Sequence, residues 1–129
     1  MKVAYVDSSC FVSIALGEPF YRELLVSLRR FDRLISSNLL EAELRSALAR
    51  ERKVGTIKNL LAWLTWVYPT RPLTPEFDRI LEIGTLRGSD LWHLACALSL
   101  VSKVPGALAF VTNDRRQGEI ARALGFPGL

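Results

Sequence analysis

The sequence predicts an α/β fold, a three-layer sandwich with a mainly parallel central sheet and helices on both faces. Short apolar runs alternate along the chain with segments of helical periodicity. VAYV (Val3–Val6) is the predicted first strand, RLIS (33–36) the second, and ALAFVT (107–112) the last. The first and last of these runs are continuously apolar, which is typical of strands that are buried on both faces.

Turn and cap residues set the limits of the predicted helices. Ser8 or Ser9 can cap a first helix, which ends at Gly17, and Pro19 suits the first turn of a second helix. Three prolines in YPTRPLTPE (68–76) predict a mostly extended connection. After the first helix, helical segments are predicted over residues 19–30, 39–53, 57–67, 76–83, 90–101 and 118–124.

Length and composition indicate one globular domain over residues 1–129, with 50% hydrophobic and 23% charged residues. No apolar stretch is long enough to span a membrane, and Asp7 interrupts the apolar N-terminal run, so we expect a cytoplasmic protein without a signal peptide. Cys10 and Cys96 lie in apolar surroundings and are predicted to be buried free thiols. The cysteines and the single histidine lack the spacing of a zinc site.

The charge balance is mildly basic, with a formal net charge of +4 and arginines in several clusters. A basic domain of this size often binds nucleic acid, but the same charge can serve solubility alone. Net charge leaves these two interpretations open.

Two aspartates follow predicted strands. Asp7 comes directly after the first strand, and Asp114 lies two residues beyond Thr112, where the last strand ends. Ligands of open parallel sheets bind beyond the carboxyl ends of the strands. Asp7 can either cap the helix that follows it or hold a metal ion, and its position alone does not decide between these roles.

Two further acids lie on predicted helices. Glu43 shares the apolar side of its helix with leucines and alanine, so its carboxylate needs a partner. Glu41, in contrast, has a local explanation, since Asn38 can form a capping box with it and Arg45 can form an ion pair. Asp90 opens a helix and looks toward an apolar side, although an aspartate at that position often serves only as a cap.

The four acids Asp7, Glu43, Asp90 and Asp114 form an all-oxygen set. At an effective dielectric constant of about 20, two charges about 4 Å apart repel by roughly 4 kcal/mol, so such a group tends to bind a cation. Oxygen ligands without histidine or cysteine favour Mg²⁺ or Mn²⁺. The expected chemistry is hydrolysis of a phosphodiester bond, in which the cation activates water and neutralises phosphate charge.

Four stretches carry a resemblance to a known family: VDSS, NLLEAELRSALAR, SDLWHLACAL and FVTNDRR. In this order and spacing they resemble the PIN-domain ribonucleases, especially the VapC-type toxins of toxin–antitoxin pairs, over nearly the whole chain. The resemblance implies a central parallel sheet of about five strands and Mg²⁺- or Mn²⁺-dependent cleavage of RNA. It also implies that the acidic quartet of the family falls on the four acids named above.

Physical arguments add supporting roles to the site that the resemblance implies, and the resemblance itself implies a protein partner. Ser8, Thr112 and Asn113 would support the carboxylates, while Arg115 and Arg116 would steer RNA phosphates or form only a solvated turn. A small antitoxin protein would bind beside the site. We also expect a homodimer, because the apolar surface of the first two helices and of Trp63 and Trp66 exceeds what one small sheet needs.

Other interpretations remain open at this stage. His93, three residues after Asp90, is expected to pack or to form a hydrogen bond with a neighbouring carboxylate rather than to bind metal. One alternative function is a receiver-type signalling domain that binds Mg²⁺, although no lysine accompanies TNDRR. A catalytically silent PIN-like module that binds RNA is the other.

Overall fold

A computed structural model describes residues 1–53, 55 and 57–129 and contains a four-stranded parallel sheet in the order β3-β2-β1-β4. The strands are short, and the two outer ones each pair with only one neighbour. Their bounds are β1 Val3–Val6, β2 Arg33–Ser37, β3 Leu64–Val67 and β4 Leu108–Val111. The α/β architecture with a parallel sheet is confirmed.

Helices cover both faces of the sheet and divide the core into two clusters. In β1, Ala4 and Val6 pack with residues of the first four helices, while Val3 and Tyr5 pack with residues of the last three. This alternation is the period of two expected of a strand buried on both sides. The helices are α1 Ser8–Leu16, α2 Tyr21–Leu28, α3 Leu39–Arg50, α4 Ile57–Leu61, α5 Thr74–Ile83, α6 Gly88–Leu100 and α7 Arg115–Ala123, and a 3-10 turn at Val101–Lys103 follows α6.

The sheet has four strands rather than the expected five. The segment after α7 does lie beside β4, because the N–H of Phe110 donates to the carbonyl of Pro127 at 2.9 Å. Pro127 has no N–H with which to continue a ladder. The segment therefore covers the edge of β4 without becoming a strand.

The helix predicted over residues 57–67 is wrong in its second half. α4 ends at Leu61, and Leu64–Val67 forms β3, which pairs in parallel with β2 from Leu34 to Ser37. Trp63, expected on a helix, lies in the turn before β3, and Trp66 lies within the strand. Threonine, tryptophan and valine favour strands, and pairing with β2 decides the outcome over the helical spacing of the two tryptophans.

Several predicted helix limits also shift. α2 is shorter than residues 19–30, α3 ends at Arg50 rather than 53, and α5 begins at Thr74. α6 begins at Gly88, two residues earlier than predicted. α1 is capped by Asp7 rather than by Ser8 or Ser9, since the carboxylate lies directly at the strand end. α7 begins at Arg115, three residues earlier than predicted.

Cys10 and Cys96 are buried free thiols, as predicted. Burial raises the pKa of each thiol to about 12, so both stay protonated at neutral pH and serve packing. Within the described part of the chain, no helix combines the length and the apolar character needed to cross a membrane.

Gly17 ends α1 in a left-handed conformation with φ of 64°, and a Cβ built there would meet no atom within 4 Å. We predict that Gly17→Ala lowers the free energy of unfolding by about 1–2 kcal/mol, because only the backbone strain of the left-handed conformation acts. Urea denaturation measures the change.

Gly88 provides the matched control, since it also has open space at its Cβ position but lies in helical conformation at the start of α6. Gly88→Ala should leave stability unchanged or raise it by up to about 1 kcal/mol. Equal losses in both variants would contradict the conformational explanation.

Candidate active site

Asp7 and Asp114 lie at the carboxyl edge of the sheet, where β1 and β4 run side by side. The N–H of Asp7 donates to the carbonyl of Val111 at 2.9 Å, which continues the pairing of the two strands to their ends. The Asp7 side chain is buried with 2% of its surface exposed. The structure thus places both aspartates at the edge where the sequence predicts a site.

Each of these aspartates is also the N-cap of a helix. Oδ2 of Asp7 accepts from the N–H of Ser9 at 3.0 Å, and Oδ1 of Asp114 accepts from the N–H of Gln117 at 2.8 Å. The positive end of a helix stabilises a carboxylate at this position. Capping engages one oxygen of each carboxylate, so the other oxygen can take a further partner, which for Asp7 is Gln117.

Gln117 is a buried side chain that joins the two strand ends to α6. Its Nε2 donates to Oδ1 of Asp7 at 3.2 Å and to the backbone carbonyl of Asp90 at 3.0 Å. Its Oε1 accepts from the hydroxyl of Thr112 at 2.6 Å. Gln117 is fully buried, so these bonds fix its amide and hold Asp7 in one orientation.

Sequence reasoning missed Gln117 because the last helix was predicted to begin at Gly118. In α7 the glutamine shares the buried side with Ile120 and Ala121, at spacings of three and four residues. A polar side chain in that helical pattern was the available signal, since a buried amide must find partners.

Glu43 has a hydrogen-bonded partner in His93. Nε2 of His93 and Oε1 of Glu43 are 2.6 Å apart, and Nδ1 of His93 lies 2.8 Å from the hydroxyl of Tyr5. That hydroxyl accepts from the N–H of Ser37 at 3.1 Å. All these groups are satisfied when Tyr5 donates to Nδ1 and the Nε2–H of His93 donates to Glu43. The prediction that His93 bonds a carboxylate is confirmed.

Asp90 lies in the first turn of α6, close enough to the other three acids for their charges to affect its pKa. Burial raises its pKa, and the charges of Asp7, Asp114 and Glu43 raise it further. Arg87 acts in the opposite direction, with its Nε 3.8 Å from Oδ2 of Asp90. The four predicted acids therefore share one electrostatic environment.

The supporting hydroxyls differ in part from the prediction. Thr112 accepts from the N–H of Asp114 at 3.0 Å, and the backbone N–H of Asn113 donates to Ser9 Oγ at 3.0 Å. Ser9 Oγ is also 3.3 Å from Thr112 Oγ1. Ser8 is buried in the first turn of α1, and it is the next serine that connects α1 to the turn after β4.

Glu41 forms the expected exposed ion pair with Arg45, at 2.6 Å. The capping box does not form, because Asn38 occupies the N-cap position of α3 without a side-chain hydrogen bond to the helix. Glu41 therefore has a local surface role, whereas Glu43 is bound to the buried His93.

Two hollows flank Asp90. The α7 hollow, of about 440 Å³, is lined by Thr85, Leu86, Arg87, Asp90, Asp114 and Arg116. The α3 hollow, of about 570 Å³, has Glu43, Ser46, Arg50, Arg87, Ser89 and Asp90 in its lining. Arg115 lies outside both linings, where its exposed side chain pairs with Glu119 at 3.1 Å.

The donor chemistry of the four acids suits a hard divalent cation. Among residues 1–53, 55 and 57–129, however, no three histidine, cysteine, aspartate or glutamate side chains are grouped closely enough to hold a metal ion. Mg²⁺ is commonly bound by one or two carboxylates together with water and substrate oxygens. The residues present fit that kind of open site and not a cage of protein ligands.

Comparisons with known proteins agree with the sequence resemblance. A family model described as the PIN domain matches residues 4–123. VapBC-1 from nontypeable Haemophilus influenzae contains a chain that is similar in structure, with a TM-score of 0.71, 16% identity and coverage of 98% of this chain and 96% of that chain. For VapBC2 from Rickettsia felis, solved bound to a DNA fragment from its promoter, these values are 0.69, 14%, 98% and 97%. No curated protein sequence matches.

Gln117→Leu tests the buried amide. We predict that it lowers the free energy of unfolding by about 1–3 kcal/mol, because Asp7, Thr112 and the carbonyl of Asp90 lose a partner in a buried position. Gln117→Glu should cost stability at neutral pH and recover part of it in acid, where a protonated carboxyl can again donate to Asp7. Losses below about 0.5 kcal/mol in both variants would contradict the role given to this side chain.

Asp90→Asn tests the crowding of the acids in metal-free protein with a chelator present. The pKa of Asp90 is raised in the folded state, so the folded protein binds the proton more tightly and the stability contributed by this group falls as pH rises. We predict that the variant is more stable than the original chain at pH 7, and that the difference disappears below about pH 4.

Asp78→Asn, on the exposed side of α5, is the matched control and should change stability by less than about 0.5 kcal/mol at either pH. Chemical denaturation across the pH range measures both variants. A loss of stability in Asp90→Asn at pH 7 would show that the carboxylate is held favourably.

Proposed function

The chain belongs to the PIN domain family, and from that premise we propose that it is a metal-dependent endoribonuclease, the VapC-type toxin of a toxin–antitoxin pair. The observation that carries the proposal is the placement of Asp114 and Glu43 in the two hollows that flank Asp90, while Gln117 connects Asp7 to the backbone of Asp90. In the part of the chain that the structure describes, neither Asp7 nor Asp114 forms a salt bridge. No cationic side chain there therefore neutralises either carboxylate.

One or two of the four acids at a time, together with water and substrate oxygens, would hold Mg²⁺ or Mn²⁺, and the others would add negative charge around it. The cation, when bound, supplies an activated water and neutralises charge on the phosphate. The chain itself supplies orientation. Gln117 holds Asp7 through one oxygen, and His93 holds Glu43. Supporting hydrogen bonds of this kind fix the ligands of metal sites and are nearly as important as the ligands themselves.

RNA is the proposed substrate. Arg116 lines the α7 hollow together with Asp90 and Asp114, so its guanidinium can meet a phosphate beside the acids. Arg115 is exposed at the start of α7 and lies outside the hollow, and we propose that it also contacts RNA. Arginines at such positions offset the repulsion between an acidic site and a polyanion.

An antitoxin is the proposed protein partner, and the two VapBC structures support it as fold relatives. Exposed apolar side chains at Phe20 just before α2, at Val26 on α2 and at Trp63 offer a surface for an apolar helix. An arginine of the partner could enter the acidic site and pair with a carboxylate. A homodimer stays part of the proposal.

The receiver-type alternative does not fit a chain of the PIN domain family. A catalytically silent PIN module that binds RNA is the remaining alternative. The two functions differ in a single measurement, because only the nuclease turns over its substrate.

A cleavage assay on a mixed RNA substrate tests the nuclease. We predict that the purified protein cleaves RNA internally with Mg²⁺ or Mn²⁺ and that EDTA abolishes cleavage, because an all-oxygen acidic site requires a hard cation. Cleavage that persists in EDTA would rule out the metal mechanism. Binding of RNA without any cleavage would favour the silent module.

Glu41 and Glu43, which are two residues apart on α3, provide a matched pair for this assay. Glu43→Gln should reduce kcat by about 100-fold or more with the fold intact, since it removes a site carboxylate. Glu41→Gln should leave kcat within about twofold, because Glu41 only pairs with the exposed Arg45. Circular dichroism of both variants confirms folding, and the opposite ranking of the two activities would refute the assignment of Glu43.

A further inference from the structure

The α7 hollow and the α3 hollow share two residues, Arg87 and Asp90. Each hollow adds one further acid and one further arginine, and the two arginines come from different helices. Asp114 and Arg116 belong to the first, and Glu43 and Arg50 belong to the second. The site is therefore open on two sides of Asp90, with an arginine in each direction.

Arg116 is fixed within its hollow rather than free in solvent. Its Nε donates to the carbonyl of Thr85 at 3.1 Å. A Cβ on Gly84 would lie 3.0 Å from Nη2 of Arg116, so the absence of a side chain at Gly84 leaves room for the guanidinium. The loop before α6 thus positions this cation beside Asp114.

Arg87 lies between the two hollows and has only a weak attachment. Its side chain is 89% exposed, and its Nε lies 3.8 Å from Oδ2 of Asp90, beyond hydrogen-bond distance. Exposed ion pairs of this geometry contribute little stability. The guanidinium can therefore turn from Asp90 to another anion at small cost.

A polyanion that crosses four carboxylates meets strong repulsion. A divalent cation neutralises charge at the phosphate that reacts, but not at the phosphates on either side of it. Those phosphates need cations of the protein. The two hollows offer one on each side, and Arg87 offers a third between them.

We propose that the two hollows form one continuous groove for a single RNA strand, in which Arg50 and Arg116 bind the phosphates on opposite sides of the bond that is cut. Arg87 contacts the strand at the centre. This inference rests on the proposed nuclease function. It implies that a dinucleotide is a poor substrate and that a strand must extend in both directions from the cleaved bond.

Arginine variants test the groove on an end-labelled oligoribonucleotide with one mapped cleavage site. We expect Arg50→Ala, Arg87→Ala and Arg116→Ala each to raise KM by roughly tenfold with kcat within about threefold. The slope of log KM against log salt should fall by about 0.7 for each lost phosphate contact.

Two control variants remove the same charge from the same two helices. The controls are Arg45→Ala on α3 and Arg122→Ala on α7. Both arginines are exposed and lie outside both hollows. We expect both to leave KM and its salt slope unchanged within about twofold. Equal effects of the groove and control variants would overturn the proposal, because they would reflect net charge alone.

Neutral methylphosphonate linkages assign each arginine to one side of the cleaved bond. A neutral linkage next to the cleaved bond on one side should raise KM of the unmodified protein by roughly tenfold. It should have no further effect in the variant whose arginine contacts that phosphate, either Arg50→Ala or Arg116→Ala. Full additivity of linkage and variant on both sides would overturn the two-sided groove.

Failure of the proposed function and failure of the groove are distinguishable. If the protein cleaves no RNA with Mg²⁺ or Mn²⁺, the nuclease proposal fails, and fluorescence anisotropy with the same oligonucleotides tests the groove on binding alone. Weaker binding of the three groove variants than of the two controls supports the groove in that case. Equal binding of all five variants overturns it.

Discussion

The candidate site depends on one constraint: four carboxylates must lie near one another, partly buried, without permanent ion pairs that would neutralise them. Helix starts meet this constraint for three of the acids. Asp7 and Asp114 cap α1 and α7, and Asp90 lies in the first turn of α6. Backbone N–H groups donate to the carboxylates of Asp7 and Asp114, and the helix dipole favours negative charge at all three positions without the fixed positive charge of a salt-bridge partner.

Glu43 lies beyond the first turn of α3, where the helix dipole no longer helps, and it is also the acid with a buried histidine as its partner. His93 reaches it from α6, and Tyr5 of β1 fixes the other ring nitrogen. An imidazole can donate a hydrogen bond while neutral, so it orients the carboxylate without the fixed charge of an arginine. The acids thus use different local devices for the same purpose.

These devices draw on both layers of helices. Ser9 comes from α1 on one face of the sheet, while Gln117 and His93 come from α7 and α6 on the other. Their bonds meet at the ends of β1 and β4. The geometry of the acids therefore requires that both core clusters are packed, which links the precision of the site to the stability of the whole fold.

The sequence indicates where the acids of the candidate site lie more clearly than it indicates which side chains hold them by hydrogen bonds. Buried strands that end on acids locate Asp7 and Asp114, because the carboxyl ends of parallel strands share one edge. Helical spacing places Glu43 and Asp90 toward the apolar sides of their helices, and the sequence predicts that His93 can bond a carboxylate without identifying Glu43 as the partner. The side-chain partner of Asp7 depends instead on where α7 begins. The predicted helix began at residue 118, three residues too late, so Gln117 was not recognised as a buried helical residue.

The error at β3 has a related cause. Trp63 and Trp66 have helical spacing, but pairing with β2 decides that Leu64–Val67 becomes a strand. Local periodicity cannot predict pairing between segments that are distant in sequence. Likewise, Arg115 and Arg116 are neighbours in sequence but have different partners. Arg116 contacts the loop before α6, whereas Arg115 pairs with Glu119 on its own helix. Adjacent residues of one type can be told apart only when the tertiary structure supplies their different partners.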